Sequence, residues 1–280
     1  MASRSSINAT MEASPNYGAV DGFPIIITIN GEFVGLYTFN IPKDGWMFGM
    51  GEGEKEYIVA GKSNSKKASL FKELAVCNEE DFEIEYSTDG VEDSEVVNSL
   101  NTLIQAAISA GENWETELAP YLDIDSVVDY FIFANCINGY DNLGNNILYG
   151  TYDGTKWFMS AYDLDTTYGA TPYGQDWYTV INDRNHFAGA ATMHQLAWLL
   201  YTYSPQKIKE RYTELRRGVL SDENVWYMFT NFATQIHKGV YDLDSQKWTT
   251  MPATSTANIG TYMNFYRMHC AYLDKEVENL

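Results

Sequence analysis

The chain has 280 residues, of which 45% are hydrophobic and 15% aromatic, so it contains enough apolar material for a folded protein with a large core. Its 38 acidic and 18 basic residues give a formal net charge of −20. Because no basic stripe is available to neutralise phosphates, we exclude nucleic acid and anionic membrane surfaces as partners.

The sequence contains no long apolar segment. No apolar region of a signal peptide follows MASRSSINAT, and the longest apolar run, near Tyr130 to Ile137, is far too short to cross a bilayer. We therefore expect no membrane insertion. Cys77, Cys136 and Cys270 are widely spaced and are most simply buried free thiols, although one disulfide with one free thiol is also compatible with the count.

The first predicted elements are β-strands. Two β-rich runs, Pro24 to Asn30 and Phe33 to Asn40, flank a turn signal and predict a hairpin. Tyr57 to Ala60 predicts a short third strand, and Asp81 to Ser87 an edge strand. The glycines of FGMGEGEKEY predict a flexible turn rather than a phosphate-binding loop, because the glutamates among them repel phosphate.

Three helices are predicted before the middle of the chain. SKKASLFKEL is predicted to begin the first, which carries Glu73. Glu92 to Ala110 has apolar residues along one face with a period of 3.6. Asp123 to Asn138, which Asp123 or Asp125 can cap, is apolar nearly all round, so it is expected to be buried and to hold the following loop rigidly.

The most informative stretch is GYDNLGNNILYGTYDGTKWFMSAYDLDTTYG, from Gly139 to Gly169. Asp153 and Gly154 lie between two aromatic-rich runs, and an Asp-Gly pair in such a place predicts a hairpin with a two-residue turn. This register puts Asn146 opposite Ala161, and a slip of one residue would change the faces of all the side chains.

Four polar side chains are expected to meet where this hairpin opens. Strand alternation puts Asp163 on the face of Asn146, while Asp141 precedes the first strand and Asp165 follows the second. Carboxylate and amide oxygens suit a hard cation such as Mg²⁺ or Mn²⁺. We interpret Asn146, Asp163 and Asp165 as metal ligands, although a merely solvated or capping role is the simpler interpretation of each acid taken alone.

Protein-kinase active sites contain the same order of parts: an aspartate, an asparagine five residues on, a hairpin and a metal-binding aspartate. Asp141, Asn146 and Asp163 are therefore the candidate catalytic residues. Each of the three has a conventional role in that chemistry, which needs positioning and charge neutralisation rather than a covalent nucleophile.

Kinases also hold the nucleotide phosphates with a lysine on a strand, and a glutamate holds that lysine. Lys62 and Glu73, with Asp165, are the candidate cofactor-binding residues, and Lys43 is a second candidate lysine. A surface position is the simpler interpretation of each lysine, because neither belongs to a specific motif.

These motifs resemble a known family. DNLGNN, the hairpin and AYDLDTTYG resemble the core of CotH-type spore-coat proteins, which are atypical kinase-like proteins with a W/Y-D-x-D-x-x-[FWY]-G signature. GFPIIITINGEFVGLYTFNIPK resembles that family's upstream strand pair, and the TYDG and NIPKD segments are similar to those of bacterial and prophage tail or baseplate variants. The resemblance covers roughly residues 15 to 220.

The resemblance implies an atypical protein-kinase-like fold, with ATP and either Mg²⁺ or Mn²⁺ as cofactors. The acceptor that it implies is a Ser, Thr or Tyr hydroxyl of a protein. It also implies that the family's nucleotide-contacting lysine lies upstream of the region covered, so that the kinase part is incomplete at its N-terminus. An extracellular, spore-surface or virion-associated location is expected on the same basis.

The segment from Thr171 to Phe187 is aromatic and polar, and it follows the hairpin where kinases place a substrate-binding loop. Its candidate substrate contacts are Trp177, Tyr178, Asn182, Asp183 and His186, with packing on the core as the alternative. The rest of the chain is predicted to be helical, over Met193 to Tyr203, Pro205 to Gly218, Ser221 to Lys238, and Ala257 to Val277.

We predict a single unit of the α+β class over residues 1–280, with a β-rich part at 17–90 and a mostly helical part at 91–280 that contains the site hairpin of 141–169. The predicted function is ATP- and metal-dependent phosphoryl transfer to a protein substrate. One alternative is a non-catalytic structural or adhesion module, with an assembly partner in a phage tail, spore coat or cell surface. The other is a glycoside hydrolase with paired carboxylates, which acids gathered at a single hairpin end do not favour.

Overall fold

In the computed structural model, the residues described are 14, 18–76, 80–139, 141–170, 185–249 and 258–280. The predicted substrate contacts Trp177, Tyr178, Asn182 and Asp183, and the thiol of Cys77, lie outside these ranges. Within them Cys136 and Cys270 are free and buried.

The first two strands form a separate antiparallel ribbon. β1 (Gly22–Ile29) pairs with β2 (Glu32–Asn40), and this confirms the predicted hairpin. Asn30 and Gly31 join the strands with positive φ angles of 52° and 82°, as a tight turn between twisted strands requires. A short 3₁₀ helix (Gly45–Phe48) follows the ribbon.

The remaining strands form one four-stranded antiparallel sheet in the order β4-β3-β5-β6, made of β3 (Tyr57–Lys62), β4 (Phe82–Ser87), β5 (Asn145–Thr151) and β6 (Trp157–Ala161). The predictions of a strand at 57–60 and of an edge strand at 81–87 are confirmed. Because β5 pairs with β3, the site hairpin extends a sheet that the earlier strands begin.

The helices in the described ranges are α1 (Asp93–Ser109), α2 (Trp114–Leu118), α3 (Ile124–Cys136), α4 (Phe187–Met193), α5 (Gln195–Tyr203), α6 (Pro205–Arg217), α7 (Asp222–Ala233), α8 (Lys238–Lys247) and α9 (Asn258–Glu278). Two predicted helices, at 92–110 and 123–138, are confirmed as α1 and α3. No helix in the part of the chain that is described is long and apolar enough to cross a membrane.

Apolar side chains cover both faces of the four-stranded sheet. Val59 and Tyr149 belong to the larger core, which the helices share, whereas Ile58 and Leu148 belong to a smaller core with the 3₁₀ helix. Neighbouring residues of a strand point to opposite faces, so these strands are apolar at nearly every position. α3 packs against β6 and is buried nearly all round, as its sequence predicts.

The prediction that a helix begins at SKKASLFKEL is wrong. Residues 67–73 form turns, and Phe71 has a φ of 57° that no helix interior tolerates. The Ser69 hydroxyl donates to the carbonyl of Asp81 at 2.6 Å and ties this segment to the start of β4. Glu73 therefore lies on a turn and not on a helix.

Two later helices differ from the prediction at one boundary, and at each place a histidine caps the start of a helix. The helix predicted over 193–203 is confirmed as α5, which begins two residues later, because Nδ1 of His194 accepts the N–H of Leu196 at 3.1 Å and caps it. The helix predicted over 221–238 ends at Ala233, and His237 caps α8 by accepting the N–H of Gly239. Histidine is not among the usual N-cap residues, so neither helix start is marked by a recognisable N-cap signal.

Candidate functional site

The β5–β6 hairpin has a longer loop than predicted. Its strands pair Thr151 with Trp157 and Ile147 with Ala161, so the predicted pairing of Asn146 with Ala161 is wrong by one residue. The Asp153 carboxylate accepts the N–H groups of Thr155 and Lys156, each at 2.8 Å. These bonds satisfy backbone groups within the loop and end the ladder early, so residues 152–156 all belong to the connection.

The faces of the two key residues are set by their backbone rather than by strand alternation. Asn146 and Asp163 have φ angles of 57° and 49°, in the left-handed region that non-glycine residues seldom adopt. The Tyr162 N–H donates to the carbonyl of Asn146 at 3.3 Å, which brings the two chain segments together at the open end. Unusual backbone at this place is typical of a functional site.

The loop before β5 is fixed by three asparagines. The Asn64 amide donates to Oδ1 of Asp141 at 3.3 Å and accepts the N–H of Asn145 at 2.9 Å. The buried Asn142 amide donates to the carbonyl of Tyr162 at 3.0 Å. These bonds tie Asp141 to the same end of the hairpin as Asp163.

The carboxylates of Asp141, Asp163 and Asp165 lie close enough to oppose one another. Asp163 and Asp165 are exposed, and Asp141 is half-buried. Desolvation and then the charge of Asp163 raise the pKa of Asp141. Desolvation, then Asp163 and then Asp141, raise the pKa of Asp165. Such crowding costs free energy unless a cation relieves it.

The oxygen donors at this end have the chemistry of a site for a divalent cation. In the described ranges, however, no group of three or more acidic, histidine or cysteine side chains is arranged to hold a metal. Mg²⁺ commonly binds one or two carboxylates together with substrate phosphates, rather than a cage made of protein alone. Fewer than three such protein groups suffice for Mg²⁺ where a phosphate supplies further ligands.

The candidate lysines have different partners from those predicted. Lys62 forms an ion pair with Glu83 at 3.0 Å, whereas Glu73 pairs with the exposed Lys67 at 3.7 Å. Lys62 and Glu73 are thus not brought together. Lys62 nevertheless lies near the site, because it pairs with Asn145 in the β3–β5 ladder.

Lys43 lies beside Tyr162, the residue that precedes Asp163. It forms an ion pair with Glu85, and its nitrogen lies 5.5 Å from the centre of the Tyr162 ring. Glu85 is the extra residue of a β-bulge, because Ile58 pairs with Tyr86 and Val59 with Ile84. A bulge redirects side chains locally, and here the redirected carboxylate meets a lysine beside the residue that precedes Asp163. Sequence reasoning missed both Glu85 and Asn64, since neither stands in a motif.

His186, the one predicted substrate contact within the described ranges, lies at the start of α4. Its Nδ1 is 3.2 Å from the carboxylate of Glu276 on α9. The same carboxylate accepts the N–H groups of Phe187 and Ala188 at 3.0 and 2.7 Å. Glu276 therefore caps α4 and fixes the chain where it emerges from the predicted substrate loop.

The described fold is that of a mixed α/β protein with crowded carboxylates at the end of a sheet hairpin and a lysine–glutamate pair beside them. The chain belongs to the CotH kinase protein family, whose model matches residues 19–273. The resemblance noted in the sequence is thereby confirmed, and membership implies a kinase-like fold with use of nucleotide and metal in general. No curated protein matches the sequence.

Proposed function

We propose that the protein is an ATP- and divalent-metal-dependent phosphotransferase that phosphorylates a hydroxyl side chain of a protein substrate. The observation that carries the proposal is the crowding of Asp141, Asp163 and Asp165 at the open end of the hairpin, in a chain of the CotH kinase family. A site that binds a cation together with an anionic substrate is expected to have excess negative charge of its own, as this acidic cluster does.

Each residue has a distinct role in this proposal. Asp163 and Asp165, with the Asn146 amide, hold the divalent cation, and Mg²⁺–ATP when bound supplies the phosphoryl group with its charge partly neutralised. Asp141 orients the attacking hydroxyl and accepts its proton. The raised pKa of Asp141 suits this role, because a general base works best when its pKa is near the working pH.

Lys43 is the best candidate for a phosphate contact from this chain. Its pairing with Glu85 and its position over Tyr162 hold the ammonium next to the residue that precedes Asp163. With a net charge of −20, the protein repels a free nucleotide, so a fixed cation and a bound metal are both needed. We assign this role to Lys43 in preference to Lys62.

The test is calorimetric titration of ATP into the protein with Mg²⁺, with Mn²⁺ and with neither. Asp163→Ala is the test variant, and Glu112→Gln, which changes an exposed acid on a distant loop, is the matched control. We expect saturable binding that requires the metal, is lost in Asp163→Ala and is kept in Glu112→Gln. Transfer of the labelled γ-phosphate to a protein acceptor would follow.

The opposite result is equally informative. A folded wild-type protein that binds no ATP with either metal would overturn the proposed activity. The family scaffold would then serve as a structural or adhesion module, which is the non-catalytic alternative.

A further inference from the structure

β1 is an edge strand among the described residues. The ribbon contains only β1 and β2, and within the described residues no other strand pairs with β1. In an edge strand about half of the backbone N–H and C=O groups point away from the neighbouring strand. Within the described residues, about half of the backbone groups of β1 thus form a row of donors and acceptors without a neighbouring strand.

The ribbon's other strand is different, because α8 covers it. The Asp244 carboxylate accepts the N–H of Leu36 at 2.7 Å, and the indole of Trp248, just after α8, donates to the carbonyl of Val34 at 3.0 Å. Lys247 donates to the carbonyl of Phe33 at 2.5 Å. Side chains therefore satisfy backbone groups along β2. Among the described residues, the corresponding bond to β1 is at its first residue, where the Asp21 carboxylate accepts the N–H of Gly22 at 2.7 Å.

The sequence of β1 itself carries few of the usual defences of an edge strand, although the ribbon has a bulge at Val34 of β2. Natural edges carry lysines, inward charges or short strands, but GFPIIITI has no charged residue and only one proline, near its beginning. Ile26 and Ile29 are 47% and 60% exposed. Phe23 stacks on Phe39 at a ring distance of 5.5 Å, and both rings are more than half exposed.

The base of the ribbon adjoins the candidate site. The Ile41 N–H donates to the carbonyl of Asp21 and closes the ribbon. The Tyr162 hydroxyl donates to the carbonyl of Ile41 at 3.0 Å, and Tyr162 directly precedes Asp163. A strand added to β1 would therefore end at the ribbon base, which Tyr162 joins to the chain segment that carries Asp163.

We propose that the β1 edge binds an extended, uncharged segment of the acceptor protein as a third strand of the ribbon, so that the segment leads toward the hairpin end. This identity of the occupant rests on the proposed function. The ribbon's charge supports it, since Glu32 is the one charged residue from Gly22 to Asn40 in a chain of net charge −20. A second copy of so acidic a chain is a poor occupant, whereas a neutral β-strand meets no repulsion.

The test uses a fluorescent, end-blocked peptide of sequence Thr-Val-Thr-Val-Thr-Tyr-Thr, with binding followed by anisotropy in the absence of ATP. A peptide with proline at its centre is the control ligand, because it cannot complete the ladder. Ile26→Lys with Thr28→Lys is the test variant, and Met228→Lys, at a residue of α7 that is 60% exposed, is the matched control.

We expect the peptide to bind the wild type and Met228→Lys equally, and the double lysine variant about tenfold more weakly, because the added charges lose water when a strand pairs there. The proline peptide should not bind. Equal binding to all three proteins would overturn the proposal. A wild-type dimer that the lysines dissociate would also overturn it, since the occupant would then be a second copy.

Asp163→Ala separates this inference from the proposed function. Peptide binding should survive in that variant, because the edge does not depend on the acidic cluster. A protein that binds the peptide but no ATP would refute the phosphotransferase while keeping the docking edge, and one that binds only ATP would refute the docking edge.

Discussion

The ammonium nitrogen of Lys43 lies 5.5 Å from the centre of the Tyr162 ring, and Tyr162 directly precedes Asp163. Glu85 holds the same ammonium group in an ion pair. The lysine side chain is only 27% exposed, so it is fixed beside the site and not extended into solvent. The ammonium group that Glu85 and the Tyr162 ring hold in place is thus preorganised to bind an anionic ligand.

Lys43→Met is therefore expected to weaken Mg²⁺–ATP binding about tenfold or more, as the loss of one charge-assisted contact predicts. Lys67→Met removes an exposed lysine elsewhere and should leave the affinity unchanged. Calorimetric titration of the two variants and of Lys62→Met measures the three affinities together. If Lys62→Met loses binding while Lys43→Met keeps it, the phosphate contact belongs to Lys62.

Asp163→Asn should make the folded protein more stable near neutral pH. The charge of Asp163 raises the pKa of Asp141 and of Asp165. When folding raises the pKa of an acid, that acid contributes to the free energy of unfolding at pH values below its ordinary pKa of 3.8. The contribution is lost as the pH rises through the raised pKa of the folded state. Removing the repulsion should restore roughly 0.5 kcal/mol at pH 7, a small value because these groups are partly solvated.

Urea unfolding at pH 7 and at pH 3 measures this effect, with Asp89→Asn, an exposed acid on a turn, as the control. The gain of Asp163→Asn should disappear at pH 3, where the neighbouring carboxyls are largely protonated in both states. A gain of equal size at both pH values would show that its cause is not charge repulsion.

Local rules predict the strands and the long amphipathic helices because the residues near each element suffice to specify it. The structure confirms three such predictions: the Asn-Gly turn of the ribbon, the apolar face of α1, and the burial of α3 on nearly all sides. The order β4-β3-β5-β6 was not predicted, since it depends on pairing between residues far apart in the chain. Alternation within one strand carries no information about its neighbour.

The candidate site was predictable in its composition but not in its geometry. The spacing of Asp141, Asn146 and Asp163 indicated a kinase-like site, and the family match agrees with that class. The register was missed because the Asp153 side chain takes up the N–H groups that would have continued the ladder. The partner of Lys43 was missed because a bulge at Glu85 leaves no mark in the sequence.

Arg211 and Asp129 form a buried ion pair between α6 and α3, the helix that leads into the site loop. Nε and Nη2 of Arg211 lie 2.6 and 2.8 Å from the two carboxylate oxygens of Asp129, and both residues are 8% exposed. Arg211→Met should destabilise the protein by about 3 kcal/mol, because it leaves a buried carboxylate without its partner.

Urea unfolding checks this value, with Arg217→Met on the exposed end of the same helix as the control. Arg211→Met combined with Asp129→Leu should recover much of the loss, since no buried charge then remains unpaired. A double variant as unstable as Arg211→Met would mean that packing of the arginine stem, and not its charge, holds α6 to α3.

His194 should make the protein lose stability as the solution becomes acidic. Its Nδ1 accepts the N–H of Leu196, so Nε2 carries the proton and donates to the Tyr149 hydroxyl at 3.0 Å. Burial lowers the pKa of His194 from 6.5 to about 3. The unfolded chain binds a proton below pH 6.5 and the folded protein does not, so stability should fall by about 2 kcal/mol between pH 6.5 and pH 5.

His194→Asn tests this account, because asparagine also caps helices but does not titrate in this range. The variant should be less stable than the wild type at pH 7, through lost packing, but its stability should change less between pH 7 and pH 5. His269, with a pKa lowered by burial to about 4, acts with the same sign and keeps part of the slope. If His194→Asn kept the full wild-type slope in urea unfolding, the acid sensitivity would have to come from groups other than His194.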